Sequence, residues 1–487
     1  MSKYLNRTIV TPALSTSRRQ FLRASAALSA AGVAGAPFAL NLATVASAAA
    51  QSAPTDYKAL VCIFLSGGND QANTVLATDS SSWSQYLAVR NVAGSALALP
   101  PPGMAGGVLP ITPATSQPGR AFALHPALEP LKALFEAGHA AVVANVGPML
   151  APMTLQQFHN RSVPRPPKLF SHNDQQSLWQ SYGPEGVTVG WGGRMGELLM
   201  ANNANPAFTA VSAGGNSVFL MGRQLHQYHI SAAGAVPIAG LGDLYGLPAA
   251  LNPLRDIITN ESTNVFQKDH AAVVQRAIST RSQLASAMLP ASGVAPIPPY
   301  IHPVTKQAAV NPLAVQLQTV ARMIGGRDTL GVRRQVFFVA LGGFDTHDFQ
   351  LKTQPDLLAK LAHAVAYFDA AMSNLRGVDL RTSVTSFTAS DFGRTFSSNG
   401  DGTDHGWGSH HFVVGGAVKG GDIYGMFPQL GLGHAHDVGA GSLLPDISVD
   451  QYGATLGTWF GLSPIQLADV FPNLRYFASR NLGFMRQ

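Results

Sequence analysis

The sequence predicts an α/β protein with a mainly parallel central sheet and helices on both faces. Three observations predict it. Four short apolar runs, at residues 59–65, 140–146, 336–341 and more weakly 384–389, show no polar alternation, as in strands covered on both faces. Helical spacing fills much of the chain between them. Residues 353–375 align Leu358, Leu361, Val365, Phe368, Met372 and Leu375, and residues 264–288 align Phe266, Val273, Ala277, Leu284 and Met288. Tyr452, Leu456, Trp459 and Phe460 mark a further helix. Finally, 46% hydrophobic residues in 487 allow a large core, and 49 Gly and 32 Pro without a fixed-period repeat point to a loop-rich globular protein. Strands alternating with helices complete the α/β pattern.

The first 50 residues stand apart by charge. Lys3, Arg7, Arg18, Arg19 and Arg23, with no acidic residue among them, account for five of the six net positive charges. The remainder is nearly neutral and lacks the cationic clustering that nucleic acid requires. "STSRRQFLRASAALSAAGVAGAPFAL", followed by "ASAAA", reads as a twin-arginine signal over 1–50. Cleavage is expected near 48–50, with retention as an anchor the alternative. The expected mature chain, 51–487, is periplasmic or extracellular and meets the membrane only through the export machinery. That route carries folded proteins, often with a metal loaded. Cys62, the sole cysteine, lies in an apolar run and reads as a buried thiol. Residues 200–330 read as a helical insertion or cap, and the Pro-rich 290–312 as a surface loop. Nothing in the sequence indicates an oligomeric state.

In open parallel sheets, ligands bind beyond the carboxyl ends of the strands. "SGGNDQAN" follows the first run and carries Asp70. "GGFDTHDF" follows the third and carries Asp345, His347 and Asp348. "SDFGRT" follows the fourth with Asp391 and Arg394, and the His-rich loop "GTDHGWGSHHF" lies just beyond, with Asp404, His405, His410 and His411. Each motif alone is compatible with a turn, because Asp, Asn and Gly dominate turns. Together they bring several carboxylates to one edge, where a divalent cation would relieve their repulsion. Mixed Asp/His donors suit zinc, manganese or iron better than calcium.

These motifs, with "LSGGND" and the leader, resemble an exported bacterial family of unknown function (number 1501), similar to the alkaline-phosphatase-like superfamily that includes sulfatases. The resemblance implies an alkaline-phosphatase-like sheet and one or two divalent ions, zinc or manganese. By that pattern Asp70, Asp345 with His347, and Asp391 or the Asp404–His405 pair would be ligands. The two-residue Asp–His spacing at 345–347 departs from the phosphatases. The superfamily also implies a nucleophile at a helix start, and Ser171 in "KLFSHNDQQSLWQSYG" fits that place. Ser171-x-x-Asp174 equally fits a helix cap. His172 and Asp174 are polar groups able to complete a ligand set. Ser171 and Arg394 are the candidate catalytic residues.

Two functions follow from this reading. One is an exported metal-dependent hydrolase of a small anionic phosphate or sulfate ester. The other is a non-catalytic exported binding or assembly protein that keeps the fold, with or without the metal. The orientation of Ser171 relative to the metal site discriminates between them. His434 and His436 read as a surface pair.

Overall fold

The structure, a computed structural model, describes residues 56–486 apart from 237, 239, 243–247, 249–251 and 261–263. The expected leader and its cleavage site lie outside the described residues. The expected central sheet is present. Its main strands are β1 (Lys58–Ser66), β2 (Ala140–Gly147), β3 (Ala210–Ser212), β4 (Arg334–Gly342), β5 (Val384–Ser390) and β6 (Ser409–Val414). They lie side by side in the order β2-β6-β5-β1-β4-β3. β5, β1, β4 and β3 are mutually parallel, whereas β6 runs antiparallel to both β5 and β2. Tyr228–Ser231 and Gly234–Ala235 extend the sheet beyond β3, so residues 200–330 contribute strands as well as helices.

β1 shows why its run lacks alternation. Val61, Ile63 and Leu65 face a core shared with α3 (Pro312–Gly325) and α4 (Gln350–Ser373), which supply Leu317, Val320, Leu358, Leu361 and Val365. Leu60, Cys62 and Phe64 face the opposite core, with Trp191, Met195 and, from α5 (Val449–Phe460), Tyr452, Leu456 and Phe460. Each fully buried side chain of this size contributes about 1.5–3 kcal/mol relative to exposure, so both faces of β1 must be apolar. Cys62 is buried, as expected.

Two expectations are corrected. The stripe on 264–288 does form α2 (Val265–Ala287), but Phe266 and Val273 are exposed, and its buried residues are Ala271, Leu284 and Ala287. The His-rich stretch is not one loop. Its second half enters β6, because Phe412, Val413 and Val414 continue the strand and draw His410 and His411 into the interior. Among the described residues, no helix is long and apolar enough to cross a membrane.

Asp70, expected as a metal ligand, has another partner. Its carboxylate is fully buried against Arg90, with Nη1 at 2.5 Å and Nη2 at 3.0 Å. Gln350 Nε2 donates to it at 2.6 Å and the Ala72 amide at 3.1 Å. A bidentate guanidinium thus supplies the positive partner that the sequence argument gave to a cation. Just upstream, Gly67 holds φ +116°, and a Cβ there would stand 2.3 Å from the Asp345 amide nitrogen. The glycine lets two strand ends touch.

Arg90→Met should lose about 3–5 kcal/mol of stability in urea unfolding, because it strands a buried carboxylate, and Asp70→Asn in the same chain should recover part of that loss. Gly67→Ala should cost about 1–3 kcal/mol from backbone strain alone, with the clash adding to it; unchanged unfolding would contradict the close approach.

Candidate metal centre

Ser66 pairs with Gly342 and Leu65 with Ser390, so the loops leaving β1, β4 and β5 emerge together. Asp345 and His347 follow β4, and Asp391 follows β5. His405 ends a short ribbon formed by Arg394–Ser398 and Thr403–His405. The fourth element is α1 (His172–Ser181), whose first residue is His172.

His172, Asp345 and His405 each present one ligand-type atom, all within 4.8 Å of one another. His172 Nε2 lies 3.3 Å from Asp345 Oδ2, and His405 Nε2 lies 3.4 Å from Oδ1. His347 Nε2 joins them, 3.2 Å from Asp345 Oδ1 and 2.9 Å from His405 Nε2.

The far nitrogen of each ring meets an oxygen acceptor. His172 Nδ1 meets Asp391 Oδ2 at 2.7 Å, His347 Nδ1 meets Asp404 Oδ1 at 3.1 Å, and His405 Nδ1 meets the Phe170 carbonyl at 2.7 Å. A carboxylate or carbonyl can only accept, which assigns the hydrogen to each Nδ1 and leaves each neutral Nε2 a lone pair. Those lone pairs converge on the Asp345 carboxylate, and His172 Nε2 is buried without a hydrogen-bond partner. Such a gathering of acceptors is stable only with protons or a cation among them.

Charge follows the same geometry. The hydrogen bond to Asp391 raises His172 above the ordinary histidine range, whereas burial lowers His405. Burial would raise the Asp345 carboxyl, but the hydrogen bond and charge of Arg394 outweigh it and hold it below the usual range. The Asp345 side chain is 43% exposed and His347 38%, so the cluster opens to solvent.

Asp391 and Asp404 therefore stand one step behind the cluster, each orienting a histidine. Arg394, expected to be catalytic, is fully buried. Its Nη1 donates to Asp345 Oδ1 at 2.6 Å and to the Gly67 carbonyl at 3.1 Å, and its Nε reaches Thr403 Oγ1 at 3.3 Å. It positions the site and has no surface to offer a substrate. Ser171 is the N-cap residue of α1, yet its hydroxyl makes no backbone cap. It donates instead to Asp174 Oδ2 at 2.9 Å.

Sequence reasoning placed His172 only as a supplementary group, because a histidine at a helix start carries no motif of its own. It did not find Gln176, which donates to Asp391 Oδ2 at 2.8 Å; its spacing of four from His172 was the available signal. His410 and His411 are outside the cluster. Burial pushes both down to about 3, so they are neutral. His410 Nδ1 accepts from the Asn145 amide at 3.0 Å, and His411 Nδ1 meets Thr388 Oγ1 at 3.3 Å. His436 pairs with Asp446 at 2.8 Å and is not among the residues of the cluster.

Residues 259–463 match the profile of a family described as "Protein of unknown function (DUF1501)". No protein of curated function matches the sequence. Similar solved structures include "Ps i-CgsB", at 10% identity and a TM-score of 0.34, covering 88% of this chain and 78% of that one. The PsFucS1 sulfatase from Pseudoalteromonas sp. is 8% identical with a TM-score of 0.34, covering 92% and 76%. A substituted variant of the alkaline phosphatase PafA is 10% identical with a TM-score of 0.27, covering 71% and 64%.

Proposed function

We propose that the protein is an exported hydrolase of a phosphate or sulfate ester, working with one divalent cation held by His172, Asp345, His347 and His405. The observation that carries this reading is the set of three imidazoles whose Nδ1 atoms are all engaged while their Nε2 atoms surround one carboxylate. An oriented imidazole backed by an oxygen acceptor is the usual form of a metal-ligating histidine. The contacts of Asp345 with the three histidines and of His347 with His405 are 2.9–3.4 Å long, near the edges of roughly 3.3–3.4 Å that bonds of about 2.0–2.1 Å give around a tetrahedral ion, and the ligand atoms of His172, Asp345 and His405 all lie within 4.8 Å of one another. Charge agrees as well. Arg394 pairs with Asp345 alone, whereas Asp391 and Asp404 are met by His172 and His347, which leaves negative charge that a divalent ion would balance. Three nitrogens and a carboxylate suit zinc or manganese, and solvent access suits a catalytic site better than a closed structural one.

The ion, when bound, supplies a Lewis acid that draws charge from the ester oxygens and lowers the pKa of a nearby hydroxyl. The chain supplies the rest. Ser171 is the nucleophile of this proposal. It sits between Phe170, whose carbonyl holds His405, and His172, and its hydroxyl already faces Asp174 as a proton acceptor. Ser171 Oγ attacks phosphorus or sulfur, its proton passes to Asp174, and the ester oxygen leaves as the alcohol with a proton from solvent. Water then cleaves the seryl ester. The free N–H groups opening α1 stabilise the anion in transit. Arg394 keeps Asp345 in place throughout. The second reading, a non-catalytic metal-binding protein, is favoured by the same Ser171–Asp174 bond, which leaves the hydroxyl engaged.

Elemental analysis should find one zinc or manganese ion per chain, absent from His172→Ala and Asp345→Asn, with affinity about 10–100-fold weaker in Asp391→Asn. Ser171→Ala should keep the ion and lose turnover of an aryl phosphate or sulfate. Turnover surviving that change would remove Ser171 from the mechanism, and an inert, metal-loaded wild type would favour the binding protein.

Export rests on the leader. Changing Arg18 and Arg19 together to Lys should leave precursor in the cytoplasm on cell fractionation; normal export of that variant would rule out the twin-arginine route.

A further inference from the structure

Phe170 and Phe349 are bulky residues held in the left-handed backbone region, at φ +73° and +54°. That region belongs to glycine and asparagine, and an aromatic residue there is strained. Both residues are also exposed, Phe170 by 38% and Phe349 by 62%. A third aromatic with this backbone, Tyr182, is accounted for by packing, since its ring meets Phe471 edge-on at 6.0 Å. Among the described residues, neither phenylalanine makes such a ring–ring contact. Lys352 Nζ lies 5.5 Å from the centroid of the Phe349 ring.

Their place in the chain supplies the missing reason. The Phe170 carbonyl is the acceptor for His405 Nδ1 at 2.7 Å, and His172 follows two residues later. Phe349 follows His347 by two residues and precedes the first residue of α4, whose amide bonds the Asp401 carbonyl at 3.0 Å. One ring therefore stands on the strap before α1 and the other at the start of α4, on the two segments that bring in His172 and His347. Strained backbone over-determined by its surroundings gathers at functional sites, and an exposed ring offers a face for stacking.

We infer that Phe170 and Phe349 form an aromatic rim that receives a flat ring bearing the anionic group, so that the ligands are aryl esters rather than small alkyl ones. This rests on the proposed metal centre, and the test separates the two. Zinc uptake is measured first by calorimetry, followed by binding of phenylphosphonate and methylphosphonate to the zinc-loaded protein. Wild type should prefer phenylphosphonate by about tenfold, the value of one good aromatic contact. The variant Phe349→Gly, which leaves Phe170 and its carbonyl in place, should take up zinc normally and melt at an unchanged or higher temperature, because strain is relieved. It should bind methylphosphonate as before and show a reduced preference for the phenyl compound. Equal binding of both compounds by wild type, or a preference that persists undiminished in Phe349→Gly with zinc uptake intact, overturns the aromatic rim alone. Failure of wild type to take up zinc or manganese overturns the metal centre and the rim with it.

Discussion

One buried guanidinium ties the carboxyl end of the sheet together. Arg394 reaches the turn after β1 through the Gly67 carbonyl, the loop after β4 through Asp345, and the adjoining ribbon through Thr403, where it also bonds the carbonyl oxygen. Its own amide donates to Gln71 Oε1 at 2.7 Å. Three loops distant in sequence share this cation, and the buried Gly67 and Thr403 carbonyls gain a donor from it. The position of Asp345, and through it the spacing of the histidines, follows from this shared cation.

A second buried network lies behind the first. Gln350 links the Asp70–Arg90 pair to Thr403, whose hydroxyl donates to Gln350 Oε1 at 2.7 Å. Arg90 in turn holds the Phe396 carbonyl at 2.7 Å. The two guanidiniums thus divide the work. Arg90 neutralises the deep carboxylate, and Arg394 faces the open cluster. A buried pair of this kind adds little net stability compared with apolar packing, but it costs much to break, so its value here is the fixed geometry it imposes.

Much of the fold was legible because burial on both faces writes itself into composition. The runs that became β1, β2 and β4, and the stripe of Leu358, Leu361, Val365, Phe368 and Met372 on α4, were identifiable from spacing alone. The stripe on α2 misled because apolar spacing records what a helix could bury, and Phe266 and Val273 of this stripe stay exposed. The carboxylate-bearing loops were placed correctly by strand order, and Asp345, His347 and His405 do come together. Asp70 did not join them because its partner, Arg90, sits in a helix with no motif. Pairwise partners chosen across tertiary space, such as Asp391 for His172 and Asp404 for His347, leave no periodic trace in sequence.

The cluster is assembled from segments far apart in the chain; 235 positions separate His405 from the Phe170 carbonyl that orients it. No short peptide of this protein holds the whole cluster, so under the proposed function affinity for an ion would appear only when the last long-range contacts close. Capture would then be a late event in folding, and the ion acquired would be one abundant in the compartment where those contacts form. On that proposal the place of folding would select the metal as much as the atoms presented.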